Sequence, residues 1–231
     1  MDRFTLCMDR TSLKHGSKNV NYLVVSIAWQ GTSIPIVWEC LDKKGGNSNT
    51  DECIAVMERV LNLIPIKRVD NLLADREFIP VAFQSATLLA ALAHPDHLLL
   101  VGSWGFAYLP TSSNLKSFGY IGHEWLGWLR QNKLSCRILV KSNSVVEHLS
   151  KKIAIGKLCR GVSVNKTVTW HSKKVSGVPL YIAARRTLKG LLIVVATKNP
   201  GSIIDDYSKR WSIETMFGNL KSRGFDLEST Q

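Results

Sequence analysis

Four residues near the carboxy end, Tyr207, Arg210, Glu214 and Lys221, put a phenol, two cations and a carboxylate at offsets of 0, 3, 7 and 14. On a helix turning about 100° per residue they fall at about 0°, 300°, 340° and 320°, so all four share one stripe. Ile213, Met216, Phe217 and Leu220 supply an adjacent apolar band by which such a helix docks on a sheet. Tyr, Arg and Lys suit phosphate oxygens, and a carboxylate among them is out of place unless it serves chemistry. The plainer reading is a solvated stripe with ordinary i to i+4 pairing of Arg210 and Glu214.

Two further carboxylates, Asp9 and Asp75, stand at or just beyond the ends of expected strands, where a folded sheet can bring both to one edge with Glu214 facing them. Taken singly, each is more often a turn or capping residue than a site residue. Three carboxylates from such remote positions suit two Mg²⁺ ions about 3.5–4 Å apart, as in phosphodiester chemistry, because oxygen ligands favour hard cations.

The elements that must position these acids follow from the pattern around them. "RFTLCMD", "NYLVVSIAW" and "SIPIVWECL" are β-branched, apolar runs separated by "GSKN" and "QGT", which predicts an antiparallel meander of three strands. "KKGGNSNT" is a turn-rich loop with Ser, Asn and Thr available as caps, and Ile54, Val56, Met57, Val60, Leu61 and Ile64 then recur at near-helical spacing, so a helix begins near Thr50. "RVDNLLAD" is a short strand that delivers Asp75. The order strand, strand, strand, helix, strand predicts a mixed α/β sheet with flanking helices.

Residues 79–120 differ from the rest: Asp96 and Lys116 are the only charges in 42 residues, against 46 in the other 189. Removing this stretch joins "LLADREF" to a helix with Trp125, Leu126, Trp128 and Leu129 on its apolar face and to the strand "CRILVK". We therefore expect a first part of the core at 1–78, an atypical apolar insertion at 79–120, a core helix and strand at 121–144, a basic β-rich insertion subdomain at 145–188, and the last core strand and helix at 189–231. The final helix has Asp205 and Asp206 in its first turn and Gly224 past its end.

With 231 residues, 45% of them hydrophobic and 21% charged, the chain can bury a sizeable core and is not disordered as a whole. Cys7, Cys40, Cys53, Cys136 and Cys159 are odd in number and include no CxxC pair, which argues against a disulfide framework or a cysteine zinc site and suits a reducing cytoplasm. The most apolar stretch is interrupted by His94, Pro95, Asp96 and His97, so no membrane span is expected. The His94–His97 pair reads as a turn rather than a zinc site. The net charge of +12 is lopsided: residues 1–129 hold 11 basic and 12 acidic residues, residues 130–231 hold 19 and 6. A field of that sign attracts polyanions, nucleic acid first.

The segments "LCMDRTSLKHG", "GNSNT" and "LLADREF", and above all Y-x(2)-R-x(3)-E-x(6)-K spelled "YSKRWSIETMFGNLK", resemble a bacterial DDE transposase of the insertion-sequence-4 family. The resemblance covers nearly all of the chain outside 79–120. It implies an RNase H-like fold with a β-strand insertion between the second Asp and the Glu. It further implies Asp9, Asp75 and Glu214 as catalytic metal ligands for Mg²⁺, with Mn²⁺ substituting, and Tyr207, Arg210 and Lys221 as DNA-backbone contacts. In such enzymes a metal-activated water cleaves duplex DNA at the transposon end and the freed 3′-hydroxyl attacks target DNA, without a covalent protein intermediate. Relatives act as homodimers on DNA, and the expected setting is the bacterial cytoplasm, at the nucleoid.

Departures from the pattern shape the expectation. Leu13 stands where relatives often have Trp, and the apolar stretch follows Asp75 closely. Relatives usually carry a helical end-binding region before the first Asp and more helix after the Lys, so recognition and dimer surfaces are expected to be incomplete here. The alternative function is a truncated, interrupted remnant that binds DNA without cleaving it; a general RNase H-like nuclease is a third. Among the tryptophans, Trp29, Trp38 and Trp125 are expected in the core, while Trp170 and Trp211 are candidates for stacking on bases.

Overall fold

The computed structural model describes residues 3–15, 17–41, 48–75, 78, 124–198 and 200–223. The apolar stretch at 79–120, His94, His97 and Gly224 lie outside these described residues.

The meander forms as the sequence predicts: β1 (Phe4–His15), β2 (Lys18–Trp29) and β3 (Thr32–Leu41) pair antiparallel in succession. The β2–β3 turn is the two-residue Gln30–Gly31, both at positive φ, as the twist of a tight hairpin demands. Asn49 caps α1 (Thr50–Leu63) in a full capping box, its side chain accepting from the Glu52 amide while the Glu52 carboxylate accepts from the Asn49 amide. Cys53, Val56, Met57 and Val60 form the buried face of α1. Next come β4 (Val69–Ala74), a helix at 124–131 that we label α2, and β5 (Cys136–Leu139). β4 lies parallel to both β1 and β5.

The remaining strands are β6 (Val145–His148), β7 (Lys151–Ala154), β8 (Thr167–Val175), β9 (Val178–Thr187) and β10 (Gly190–Ala196), with the single turn α3 (Ile155–Leu158) between β7 and β8. Together the described strands make one ten-stranded mixed sheet in the order β3-β2-β1-β4-β5-β10-β9-β8-β6-β7. The strand-rich stretch at 145–188 is therefore not a separate sheet. β9 pairs along β10, and Val146, Val175, Leu180 and Ile182 share a core with Leu6, Leu72 and Trp125.

Strand alternation divides the sheet into two faces. On one, Leu6, Met8, Leu72, Ala74, Ile138 and Val195 pack with α1 and α2, burying Trp125, Leu126 and Leu129. On the other lie Cys7, Leu73 and Arg137, in register across β1, β4 and β5. That second face is covered by α4 (Ile203–Ser208) and α5 (Trp211–Gly218), followed by a π-helical turn, Asn219–Arg223. Ile203, Ile204 and Tyr207 pack on Ala183, Val194 and Ala196 of β9 and β10, while Ile213, Met216 and Phe217 pack on Cys7, Val24 and Leu73. Burying each such apolar side chain contributes about 1.5–3 kcal/mol.

Two expectations need correction. The last helix is not continuous from Tyr207 to Lys221: at Lys209–Arg210 the backbone bonds tighten to i→i+3, from Lys209 to Asp206, Arg210 to Tyr207, Ser212 to Lys209 and Ile213 to Arg210. This joint lets the two helices follow different parts of a twisted sheet. Trp29 and Trp38, expected in the core, are 54% and 57% exposed: Trp29 is the last residue of β2, at the hairpin end, and Trp38 lies on β3, an edge strand of the sheet. Trp125 is buried as expected. Among the described residues no helix is long and apolar enough to cross a membrane.

Candidate active site

Asp9 lies two residues beyond Cys7 on β1, and Asp75 two residues beyond Leu73, just past the end of β4. Alternation turns Asp9 to the face that α4 and α5 cover. The joint between those helices sits over this part of the sheet, and Arg210 in the joint reaches down to the acids. Its Nη1 donates to Asp9 Oδ2 at 3.0 Å, and its Nη2 donates to Glu214 Oε1 one turn further along α5. Asp9 Oδ1 also accepts from the Arg10 amide at 2.8 Å.

Burial makes these contacts matter. The Arg210 side chain is 10% exposed and Asp9 16%, whereas Glu214 is 40% exposed at the open end of the cluster. Burial alone would pull the Arg210 guanidinium pKa down, but Tyr207, Asp9, Glu214 and Asp75 together push it up, so the cation is firmly held. Arg210 Nε finds no hydrogen-bond partner among the described residues.

Tyr207 is buried, with its ring centroid 5.6 Å from the Arg210 guanidinium carbon, and its Oη finds no hydrogen-bond partner among the described residues. Burial pushes its phenol pKa well up; Arg210 opposes the shift, and Asp75 and Asp9 add to it. Asp9 and Glu214 thus meet at one guanidinium, and Asp75 stands just past the end of β4, the strand that runs parallel beside β1. Lys221 is half-buried in the π-helical turn that follows α5.

A seam of small polar groups keys the joint to the meander. Ser212 and Ser33 hydroxyls are 2.7 Å apart, Ser212 lies 3.7 Å from the Cys7 thiol, and that thiol approaches the Lys209 carbonyl at 3.9 Å. Sequence reasoning also passed over Arg137. This residue is fully buried on β5 and donates to Asp206 of α4 at 3.2 Å, while Asp206 also accepts from Ser202 at 2.7 Å. Its signal was a cation inside the apolar strand run "CRILVK".

Three carboxylates have the right chemistry for a hard divalent cation. Their arrangement does not fit one as it stands: among the described residues no three His, Cys, Asp or Glu side chains form a group able to hold a metal ion, and Arg210 bridges Asp9 and Glu214.

Residues 119–231, just under half of the chain, match the family model described as Transposase DDE domain, which supports a DDE transposase. The matched span holds Tyr207, Arg210, Glu214 and Lys221; Asp9 and Asp75 precede it. No curated protein matches the chain. Among solved structures, the piggyBac transposase in a synaptic complex with hairpin DNA is similar at 11% identity and a TM-score of 0.43, over 96% of this chain and 41% of that one. The NurA nuclease from Sulfolobus solfataricus is similar at 11% identity and a TM-score of 0.38, over 99% of this chain and 82% of that one. The chain thus spans well under half the length of the piggyBac transposase.

Proposed function

We propose that the chain is the catalytic core of a DNA transposase of the insertion-sequence-4 type, cleaving DNA at transposon ends and transferring the freed strand to target DNA. The observation that carries this reading is the meeting of Asp9 from β1 and Glu214 from α5 at the Arg210 side chain, with Asp75 at the end of β4, the strand paired alongside β1. A buried ion pair is a weak stabiliser of a fold, so acids brought from remote parts of the chain to one cation suit a role in chemistry. An RNase H-like arrangement of the mixed sheet, with β6–β9 as the insertion, suits the same reading. So do the match to the transposase family model and the basic carboxy-terminal half.

On this reading Asp9, Asp75 and Glu214 are the catalytic acids and metal ligands, taking Mg²⁺ or Mn²⁺. Tyr207, Arg210 and Lys221 serve the DNA backbone. Duplex DNA is the partner, the working form is a homodimer on DNA, and the setting is the bacterial cytoplasm. The test is cleavage of DNA bearing the element's termini: it depends on Mg²⁺ and is lost in Asp75→Ala and Glu214→Gln. Salt-dependent DNA binding without nicking in any metal would instead favour a non-catalytic remnant.

A further inference from the structure

The acids do not form a ready cation site among the described residues, and the Arg210 guanidinium stands between two of them. We propose that Arg210 is an internal competitor for the metal: it holds Asp9 and Glu214 closed against divalent ions until a phosphate group draws it away. This inference rests on the reading that those acids are metal ligands.

Four observations lead there. First, the guanidinium spends separate nitrogens on Asp9 and Glu214, so it spans the gap between two carboxylates that a shared cation would need. A divalent ion and a guanidinium cannot both sit among these oxygens, because their mutual repulsion in a partly buried site is poorly screened. Second, withdrawing Arg210 leaves Asp9, Glu214 and Asp75 with less positive charge among them, the condition under which a divalent ion binds carboxylates best. Third, the Arg210 backbone lies in the i→i+3 joint between α4 and α5 rather than inside a regular helix, while its Nε is unpartnered. The backbone that carries the fork is thus not locked into a regular helical ladder. Fourth, Glu214 is 40% exposed, so a ligand reaches the Arg210–Glu214 arm from solvent.

A phosphodiester supplies planar, bidentate, anionic acceptors that match a guanidinium fork at least as well as a single carboxylate oxygen does. DNA contact and metal capture become coupled through one side chain: the phosphate takes the cation and the acids become available together. Such coupling would keep a protein with a nuclease site from loading metal away from its substrate.

The test uses the full chain without DNA and Mn²⁺ alone as probe, with free Mn²⁺ followed by electron paramagnetic resonance at fixed ionic strength. Arg210→Gln is expected to bind Mn²⁺ at least about tenfold more tightly than the wild type, with Arg210→Lys between them. Lys209→Gln removes a neighbouring, more exposed cation that pairs with Asp206 instead. It should change Mn²⁺ affinity by less than about threefold, since an exposed charge is screened. Equal or weaker binding by Arg210→Gln while the wild type binds Mn²⁺ overturns the competitor role and leaves the metal-ligand reading standing. No Mn²⁺ binding by either protein overturns both. A second measurement needs no variant: in ¹⁵N-labelled wild type, the Arg210 Nη–H resonances, slowed by two ion pairs, should collapse to those of a free guanidinium at saturating Mg²⁺. Their persistence at saturation overturns the proposal.

Discussion

Arg210 and Asp9 are 201 residues apart in the chain, yet their side chains meet at 3.0 Å, joining the central strand β1 to the joint between the last two helices. The pair is mostly withdrawn from water, so its loss is felt by the fold as well as by any chemistry. Asp9→Ala removes the acceptor of the Arg210 Nη1 donor. We expect a loss of about 1.5–3 kcal/mol in urea unfolding, the usual cost of removing a hydrogen bond to a charged group. A loss within experimental error would mean that Arg210 rearranges freely.

The second ion pair under these helices is more severe. Arg137 is fully buried and Asp206 is 17% exposed. Asp206→Ala takes a carboxylate away from a buried cation and should cost about 3–5 kcal/mol in the same measurement, whereas Arg137→Met, which removes the charge itself, should cost distinctly less. Equal losses in the two variants would show that packing, not charge, governs this contact.

Thiol chemistry reports the core. Burial pushes the Cys7, Cys136 and Cys159 thiols up to about 11, while Cys40 is exposed. A Cys40→Ser variant should therefore lack the single fast reaction that native protein shows with a disulfide reagent near neutral pH. Because the three buried thiols ionise first in the unfolded chain, which then holds fewer protons than the native one, their contribution to stability is intact below about pH 9 and declines as pH rises towards about 11. A urea midpoint that stays flat across that window, compared with a triple Ala variant, would contradict the assignment.

Asn49 offers a local check on the helix that backs the sheet. Asn49→Ala removes the side-chain half of the capping box at α1 and should lower stability by about 1 kcal/mol, with Gly at the same position costing only a few tenths.

Most elements were legible because each has a local cause. Alternating β-branched runs gave β1 to β3, the cap at Asn49 marked α1, and "RVDNLLAD" delivered Asp75 to the end of β4. What escaped depends on which surfaces meet. A helical wheel grouped Tyr207 with Arg210 and Glu214, but the i→i+3 joint rotates α4 against α5, so Tyr207 is buried against β9 and β10 while Glu214 stays half open. The wheel could not show that Arg210 turns inward to the acids. Nor could alternation show that Trp38 sits on an edge strand. Arg137, a charge at the centre of an apolar strand, was readable as an anomaly and only its partner required the fold.

The most direct measurement of the central claim is Mg²⁺-dependent cleavage of terminus-bearing DNA by the wild type, by Asp9→Ala, Asp75→Ala and Glu214→Gln singly, and by the three combined. Acids that act as one unit predict that each single variant falls nearly as far as the triple, because removing any one leaves the others without a purpose. Cleavage that survives the loss of any one of the three, or losses that accumulate stepwise from single to triple, would contradict the account.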